Sequence, residues 1–481
     1  METLHPGLYF QEIAGISPVG GASTSTGAFV GTAPKGKIGE AVLVTNWTQF
    51  VKEFGGFDKN SYLAYAVRGF FENGGSRAYI SRVVHYAQGV KSSAPATAEL
   101  QDSNSSITIK VEALYDGAYG NTLAVGVSEI DSVGNTFTLA VVENGTVVET
   151  YAKVKLDEAE DITKNSAYIK LTVVGTTLPA VVADKALAGG NDGLTGLTDT
   201  DYIGDANTRA GLYAFDNVDI NLVAIPAITS EAVVNGLITY VEGRQDCFAI
   251  VDVPYDMNVT QAKEFVVETA KAVSEYAGIY YPFIEVTDPI GVGKNPTKFV
   301  PPSGHIMGVF ARIDNSAGVW KAPAGTDANV LGVLGLKYNV SDAEQDLLNP
   351  VNINCLRAFD GAGICVWGTR TLSSGEYKYV PVRRTMLFIE KSLKDNMRWT
   401  VFKPNDEKLW GMIKSTIESF LTTIWSQGGL KGTSSTEAFF VKCDAELNTP
   451  DVVDQGRTYV DIGIAPQKPA EFIIFRLSLK R

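Results

Sequence analysis

The sequence predicts a multidomain α/β protein that carries an inserted all-β domain and an extended strand near each end of the chain. Three observations lead to this fold class. The chain has 481 residues, 45% hydrophobic and 20% charged, which is the balance of several well-packed domains. Apolar strands alternate with helices between residues 221 and 286. Between residues 91 and 199 the composition changes abruptly, and short strands separated by turns replace that alternation.

The first 90 residues divide into an arm and the start of an α/β core. Residues 1–26 join a strand-like run, Leu8 to Ile13, to a stretch rich in Gly, Ser, Thr and Ala, which predicts a strand on a flexible linker. In residues 27–90, two short strands precede two helices and a third strand. Asn46 is placed to cap the first of these helices.

Residues 91–199 form a distinct acidic segment. They contain no Trp, Cys, Met, His or Arg, and their 15 acidic residues against 7 lysines supply −8 of the formal net charge of −13. Alternating apolar and polar residues with Gly- and Asn-containing turns predict antiparallel strands. The clearest runs are Ser106 to Val111, Thr136 to Val142 and Tyr168 to Val173. We interpret this segment as an inserted, outward-facing all-β domain.

Two α/β domains are predicted after the insert. In residues 200–350, apolar strands joined by helices indicate a largely parallel, covered sheet; the elements are strand Asn221 to Pro226, helix Glu231 to Val241, strand Cys247 to Val253, helix Gln261 to Ser274 and strand Gly278 to Val286. Residues 351–466 form the second domain, with strand Gly363 to Trp367, helices Val382 to Asn396 and Asp406 to Gln427, and strands Ala438 to Cys443 and Thr458 to Ala465. Residues 467–481 then supply a terminal strand, Glu471 to Leu479.

Charge and composition exclude several classes of protein. A net charge of −13 argues against a nucleic-acid coat or an anionic membrane surface, because both need clustered Lys and Arg. The N-terminus lacks the features of a signal peptide and no window approaches 18 apolar residues, so we expect synthesis in the cytoplasm and no membrane insertion. The cysteines are scattered without a CxxC pair, which favours free, buried thiols at Cys247, Cys355, Cys365 and Cys443.

The sequence offers no convincing catalytic motif. Gly31 to Lys37 fits part of a phosphate-binding loop, but Ile38 stands where the magnesium-binding hydroxyl belongs and Pro34 removes one amide. Of three histidines, His305 follows Ser303, which favours a structural place in the first turn of a helix over a catalytic triad.

The remaining candidates for chemistry also have structural interpretations. Asp252 and Asp256 could form a carboxylate pair or cation site, but Asp at the end of a strand is more often a turn or cap residue. The acidic run Asp157 to Asp161 lacks the glycine and ligand spacing of a calcium loop. The aromatic stripe Trp410, Phe420 and Trp425 indicates packing. We predict no enzyme, metal or cofactor.

Several segments resemble the contractile tail sheath family of myophages, R-type bacteriocins and related injection systems. They are Pro6 to Ile13, Gly27 to Gly36, Tyr65 to Gly75, Arg77 to Val83, Pro301 to Gly304, Gly308 to Arg312, Gly318 to Ala324, Val366 to Leu372, Val382 to Arg384, Phe402 to Trp410 and Gly463 to Phe472. Together they occur across nearly all of the chain outside residues 91–199.

The resemblance implies a subtilisin-like α/β middle domain without catalysis, a C-terminal α/β domain, and terminal arms that add strands to a neighbour's sheet. The expected arm residues are Leu8, Tyr9, Phe10, Glu12, Ile13, Phe472, Ile473, Ile474, Phe475 and Leu477. Unpaired strands are templates for such augmentation. The expected function is a helical homopolymer around an inner tube that contracts to drive the tube through a cell envelope, with baseplate and terminator proteins as further partners.

Residues 369–442 carry 12 Lys or Arg against 7 Asp or Glu. We predict that part of this basic region contacts an acidic inner tube; an ordinary solvated surface is the alternative. The candidate contacts are Arg383, Arg384, Lys391, Lys394 and Arg398. Two other functions remain open from the residues alone: an α/β hydrolase-like or nucleotide-dependent enzyme, and a static shell or surface-layer protein.

Overall fold

A computed structural model of the chain describes residues 19–476. The chain folds into two compact units. The central unit comprises residues 25–312 and 323–378. Among the described residues, the C-terminal unit comprises residues 313–322 and 379–476, together with residues 19–24.

The strands are numbered in chain order. Those of the central unit are β1 (Gly27–Gly31), β2 (Val42–Val44), β3 (Ala78–Arg82), β4 (Tyr86–Ala87), β5 (Val90–Lys91), β6 (Thr97–Gln101), β7 (Ile107–Ala113), β8 (Leu123–Asp131), β9 (Thr136–Glu143), β10 (Thr146–Lys155), β11 (Ile169–Val173), β12 (Val182–Ala186), β13 (Leu222–Ala224), β14 (Phe248–Asp252), β15 (Ala277–Tyr281), β16 (Ile284–Thr287), β17 (Thr297–Val300), β18 (Val333–Leu336), β19 (Ile353–Phe359) and β20 (Gly363–Val366). The C-terminal unit contains β21 (Phe439–Lys442) and β22 (Asp461–Ile464).

The helices follow the same order. They are α1 (Trp47–Phe54), α2 (Leu63–Glu72), α3 (Ile162–Asn165), α4 (Asp199–Ile203), α5 (Glu231–Arg244), α6 (Val259–Glu264), α7 (Ser303–Ala317), α8 (Asp342–Leu348), α9 (Val380–Asn396), α10 (Glu407–Ser426), α11 (Ser435–Ala438) and α12 (Pro450–Asp454). A π-helical turn, Phe265–Ala270, continues α6. The predicted cap of α1 is confirmed, because the Asn46 side chain accepts a hydrogen bond from the amide of Gln49 at 2.8 Å.

An eight-stranded sheet organises the central unit. Its order is β2-β3-β1-β13-β14-β15-β19-β20, with parallel pairing from β3 to β19 and antiparallel strands at both edges. All five residues of β14 are buried, as expected for a parallel strand covered on both faces. The cluster on one face includes Val30, Val223, Leu237 and Phe265. Phe29 meets Phe70 of α2 on the other, with ring centroids 5.6 Å apart.

Two helices of this second face pack at unusually short range. A Cβ atom on Gly304 of α7 would lie 2.2 Å from the carbonyl oxygen of Ala66 in α2, and one on Gly308 would lie 2.5 Å from that of Phe70. Glycines one helical turn apart therefore allow the backbones of α2 and α7 to touch.

The acidic segment contains two antiparallel sheets, β10-β9-β8-β12 and β11-β7-β6. Their apolar residues share one core, which includes Val111, Phe137 and Ile169. The predicted alternating runs coincide with β7, β9 and β11. One part differs from the expectation of strands alone, because Leu156–Asp161 is a 3₁₀ turn that leads into α3.

Helices α9 and α10 and the two-stranded sheet β21-β22 form the C-terminal unit. Asp406 caps the N-terminus of α10, because its carboxylate accepts a hydrogen bond from the amide of Leu409 at 2.8 Å. Trp410 and Phe420 of the predicted aromatic stripe are buried in the core of this unit, and Trp425 packs against it, so the packing interpretation is confirmed.

Two sequence-based boundaries need correction. The strand predicted from Gly278 to Val286 is two strands in different sheets, because Pro282 lacks the amide needed to continue a ladder. A domain boundary at residue 350 is also wrong for this structure, since β19 and β20 complete the central sheet and the C-terminal unit resumes at residue 379. The apolar run of β19 was not identified as a strand from its sequence.

Candidate functional site

The described part of the C-terminal arm is exposed and apolar. Residues 471–476 form no helix or strand, and Phe472, Ile473, Ile474 and Phe475 expose 71 to 85% of their surface. Contiguous exposed apolar side chains are typical of interaction surfaces in proteins. The other predicted arm residues, Leu8, Tyr9, Phe10, Glu12, Ile13 and Leu477, lie outside the described residues.

The sheet β21-β22 has an edge that could receive a strand. Its ladder runs from Phe439 opposite Ile464 to Lys442 opposite Asp461. A two-stranded sheet is marginal by itself. Within residues 19–476, β21 pairs with no strand besides β22, and Phe440 on it is 60% exposed. This edge therefore presents unpaired backbone groups.

Residues 19–24 are held along helix α9. Asn396 binds Gly20 twice, accepting from its amide at 3.2 Å and donating to its carbonyl at 2.9 Å. The Ser392 hydroxyl accepts from the amide of Ala22 at 2.9 Å, and Arg384 donates to the carbonyl of Thr24 at 2.9 Å. This part of the predicted flexible linker is thus docked, because α9 offers polar side chains eight and four residues apart, at Arg384, Ser392 and Asn396.

The five basic candidates for tube contact differ in exposure. Arg384 is buried and forms a two-pronged ion pair with Asp314 at 2.9 and 2.6 Å. Arg383 is also buried, and it donates to Glu390 at 3.4 Å. Lys391 is half-buried, whereas Lys394 and Arg398 are exposed. Burial thus removes Arg383 and Arg384 from the surface of the chain, which the charge pattern could not reveal.

The segment that resembles a phosphate-binding loop surrounds a side chain of the protein. The buried guanidinium of Arg82 donates to the carbonyls of Ala33 and Gly36 at 3.0 and 2.9 Å, and to that of Asp116 at 2.8 Å. Burial lowers the pKa of Arg82. Carbonyl oxygens around a cation are the reverse of the amide cradle that phosphate needs.

Arg82 also joins the acidic segment to the central sheet, because Asp116 precedes β8 in that segment. Next to it, a Cβ atom on Gly117 would lie 2.4 Å from the carbonyl oxygen of Pro34. The Tyr115 hydroxyl donates to Glu53 of α1 at 3.0 Å. No sequence motif pointed to Arg82, although a lone Arg at the end of an apolar strand is a usable signal of a buried network.

Asp252 and Asp256 do not form a pair. Asp252 accepts from the hydroxyl and amide of Ser303 at 2.7 and 3.0 Å and from the amide of Ala227 at 3.2 Å, so it caps α7 from the end of β14. Burial without a cation raises the pKa of Asp252 to about 6. Asp256 binds Lys337 at 2.7 Å. The cap interpretation is confirmed.

His305 lies in the first turn of α7, as predicted, with its ring against α2. A Cβ atom on Gly69 would come within 2.3 Å of that ring. The His305 Nδ1 atom has no hydrogen-bond partner, and burial lowers the pKa of His305 to about 4. The ring therefore stays neutral, and its Nδ1 atom activates neither Ser303 nor Asp252.

Other chemistry is limited across residues 19–476. In this part of the chain no group of three or more His, Cys, Asp or Glu side chains is arranged to hold a metal ion. Over the same residues, no helix is long and apolar enough to cross a membrane. The cysteines are free and buried, as predicted.

Comparison with known proteins identifies the family. Residues 196–372 match the phage tail sheath protein central domain, and residues 373–480 match the phage tail sheath C-terminal domain. The chain is 30% identical over 179 residues to the tail sheath protein of Vibrio phage KVP40, an alignment that covers 37% of this chain and 26% of the phage protein. The alignments to curated relatives span 26 to 47% of those relatives' lengths.

Solved structures resemble the whole chain. The sheath of an extracellular contractile injection system, PVC, in its contracted state has a TM-score of 0.61 and 21% identity, covering 99% of this chain and 98% of that one. The chain in the anti-feeding prophage baseplate has a TM-score of 0.59 and 22% identity, covering 100% of both chains. At these identities the likeness establishes the fold. Because two domain models of one family together match more than half of the sequence, the chain belongs to the phage tail sheath protein family, whose members are structural proteins and not enzymes.

Proposed function

We propose that this chain is the repeating subunit of a contractile sheath, which polymerises helically around an inner tube and stores free energy in its extended state. Contraction then drives the tube through a target cell envelope. The observation that carries this proposal is the likeness over the whole chain to a sheath in its contracted state, combined with the two family matches. We expect the subunit to be made in the bacterial cytoplasm and to function in the assembled particle.

The terminal arms supply the links between subunits. Phe472, Ile473, Ile474 and Phe475 are apolar, exposed and unpaired by any strand of their own chain within the described residues. The edge of β21 offers the complementary backbone groups in the C-terminal unit of a neighbouring copy. Backbone hydrogen bonds depend little on side-chain fit, so such a link persists while the contacts between domains are exchanged.

The domains have different roles in contraction. A subtilisin-like central domain and the C-terminal domain exchange interfaces during contraction, and the acidic insert of residues 91–199 faces outward. The shorter form buries more surface between subunits, and even a small gain per subunit is multiplied over the copies of a helical polymer. Phosphate hydrolysis has no role, in keeping with the occupation of the loop at residues 31–37 by Arg82.

The partners are further copies of the chain, an inner tube protein, a baseplate and a tail terminator. Association with a baseplate is supported by the likeness to the chain in the anti-feeding prophage baseplate. Lys394 and Arg398, which are exposed, remain the better candidates for contact with an acidic tube, with Lys391 beside them. Such surface charges bind weakly enough to release the tube.

Electron microscopy of the purified full chain tests the proposal. Helical tubes are expected. Flat lattices would point to a static shell, and discrete particles at high concentration would refute assembly. A chain that lacks residues 468–481 should stay folded but not form tubes, whereas the exposed substitution Val133→Ser in a turn of the insert should leave tubes intact. Normal tubes from the shortened chain would contradict the arm mechanism.

A further inference from the structure

Phe402 combines two anomalies at one position. Its side chain is fully exposed, and its backbone φ angle is +66°. The left-handed region is disfavoured for residues with a Cβ atom, and a bulky aromatic residue there is a true outlier. Because the ring is exposed, packing within the chain does not offset the energetic cost of this φ angle. A strained and solvent-exposed aromatic side chain indicates selection for an external contact.

The loop that presents Phe402 is well supported. The amides of Val401 and Lys403 donate to the carbonyls of Arg398 and Thr400, both at 3.3 Å. Downstream, Asn405 donates to the carbonyl of Arg457 at 2.7 Å and accepts from the Trp410 indole at 2.8 Å. The ring is therefore displayed from an ordered turn between α9 and α10.

Basic residues lie close to Phe402 in sequence: Lys394 is in α9, and Arg398 and Lys403 are in the turn that connects α9 to α10. Residues 391–403 contain four Lys or Arg and one Asp. The side chains of Lys394, Arg398 and Lys403 are exposed. Arg398 forms an ion pair with Asp395 at 2.9 Å. An apolar anchor with a charged rim is the usual composition of a binding hot spot, in which the anchor supplies affinity and the rim steers the approach.

We infer that Phe402 is the apolar anchor of the tube-facing surface, and that it enters an apolar recess with an acidic rim on the inner tube protein. This inference rests on the proposed function. A second copy of the chain is the less suitable partner, because much of the acidic excess of the chain lies in residues 91–199, which are proposed to face outward.

Photo-crosslinking in intact, extended particles identifies the partner directly. A photoreactive phenylalanine analogue at position 402 should crosslink to the tube protein, whereas the same analogue at position 133 in the insert should not. A sheath dimer formed through position 402 would overturn the choice of partner. The absence of any adduct from position 402, with particles intact and label present, would overturn the contact itself.

Substitutions separate this inference from the proposed function on which it rests. Phe402→Ala should leave tubes of sheath alone unchanged but raise at least tenfold the tube concentration needed for co-assembly, and Phe402→Trp should restore it. The double change Lys394→Glu and Arg398→Glu should also weaken co-assembly and reduce its salt dependence. If only the charge variant has an effect, Phe402 is not the anchor. If neither variant has an effect, the surface around Phe402 does not contact the tube.

Discussion

The ion pair between Arg384 and Asp314 gives a sharp test of what holds the C-terminal unit together. The two side chains are buried and joined by hydrogen bonds of 2.9 and 2.6 Å. Replacement of Arg384 by Met leaves the Asp314 carboxylate buried without its cation. Loss of one partner of a buried pair costs about 3–5 kcal/mol, several times the worth of an exposed pair.

The double variant Arg384→Met, Asp314→Leu is the matched control. It removes both charges and keeps apolar volume at the site, so we expect its stability within about 1 kcal/mol of the wild type. The interaction energy of the pair is obtained when the effects of both single variants are subtracted from the effect of the double variant. Asp314→Leu alone completes this cycle and should be strongly destabilising.

Urea unfolding of the monomeric chain, followed by tryptophan fluorescence, provides the assay. Trp320, Trp399, Trp410 and Trp425 lie in the C-terminal unit, against two tryptophans in the central unit. With a slope of about 2 kcal/mol per molar urea, a loss of about 4 kcal/mol lowers the midpoint by about 2 M. A shift below about 0.5 M for Arg384→Met, or a double variant as unstable as the sum of the singles, would refute the reasoning.

Three further predictions concern the central unit and the linker. The pKa of Asp252 is about 6 in the folded state against 3.8 in the free side chain, so the folded state binds the proton more tightly and loses about 3 kcal/mol of stability as pH rises from about 4 to 7. Asp252→Asn should flatten this part of the plot of stability against pH. An unchanged plot would exclude Asp252 as the source of the pH dependence. Gly304→Ala places a Cβ atom 2.2 Å from a backbone carbonyl oxygen and should lower the free energy of unfolding by about 1–3 kcal/mol or more. The control Gly411→Ala, on an open face of α10, should be neutral or stabilising. Equal melting temperatures for the two variants would contradict the close approach of α2 and α7. Asn396→Ala should speed hydrogen exchange at the Gly20 amide while leaving the core of α10 protected, and unchanged exchange at Gly20 would show that the linker is held in another way.

Local patterns predicted the elements that depend on near neighbours. The cap of α1 could be predicted because Asn46 bonds an amide three residues away, and the strand β14 because its run is apolar on both faces. The division at Pro282 follows from one missing amide and was available in the sequence. The strand β19 was missed because a short apolar run does not reveal which sheet it joins.

Contacts between residues far apart in the chain could not be predicted from the sequence pattern. Arg384 and Asp314 are separated by 70 positions, and their burial became evident only when α7 and α9 were placed. A count of Lys and Arg cannot distinguish a buried guanidinium from an exposed one. The same holds for Arg82, whose three carbonyl partners come from two distant segments, and for Phe402, whose positive φ angle no composition reveals.

The hydrogen bonds of residues 20–24 to α9 determine how a pull on the chain at residue 20 is resisted. Their partners Asn396, Ser392 and Arg384 follow one line of α9 in reverse order, so the segment lies antiparallel to the helix. A force along the helix axis loads these bonds together in shear, and rupture then requires several to fail at once. A force across the axis instead peels them singly, beginning at Asn396. The sheath subunit thus has an anchorage whose strength depends on the direction of the load.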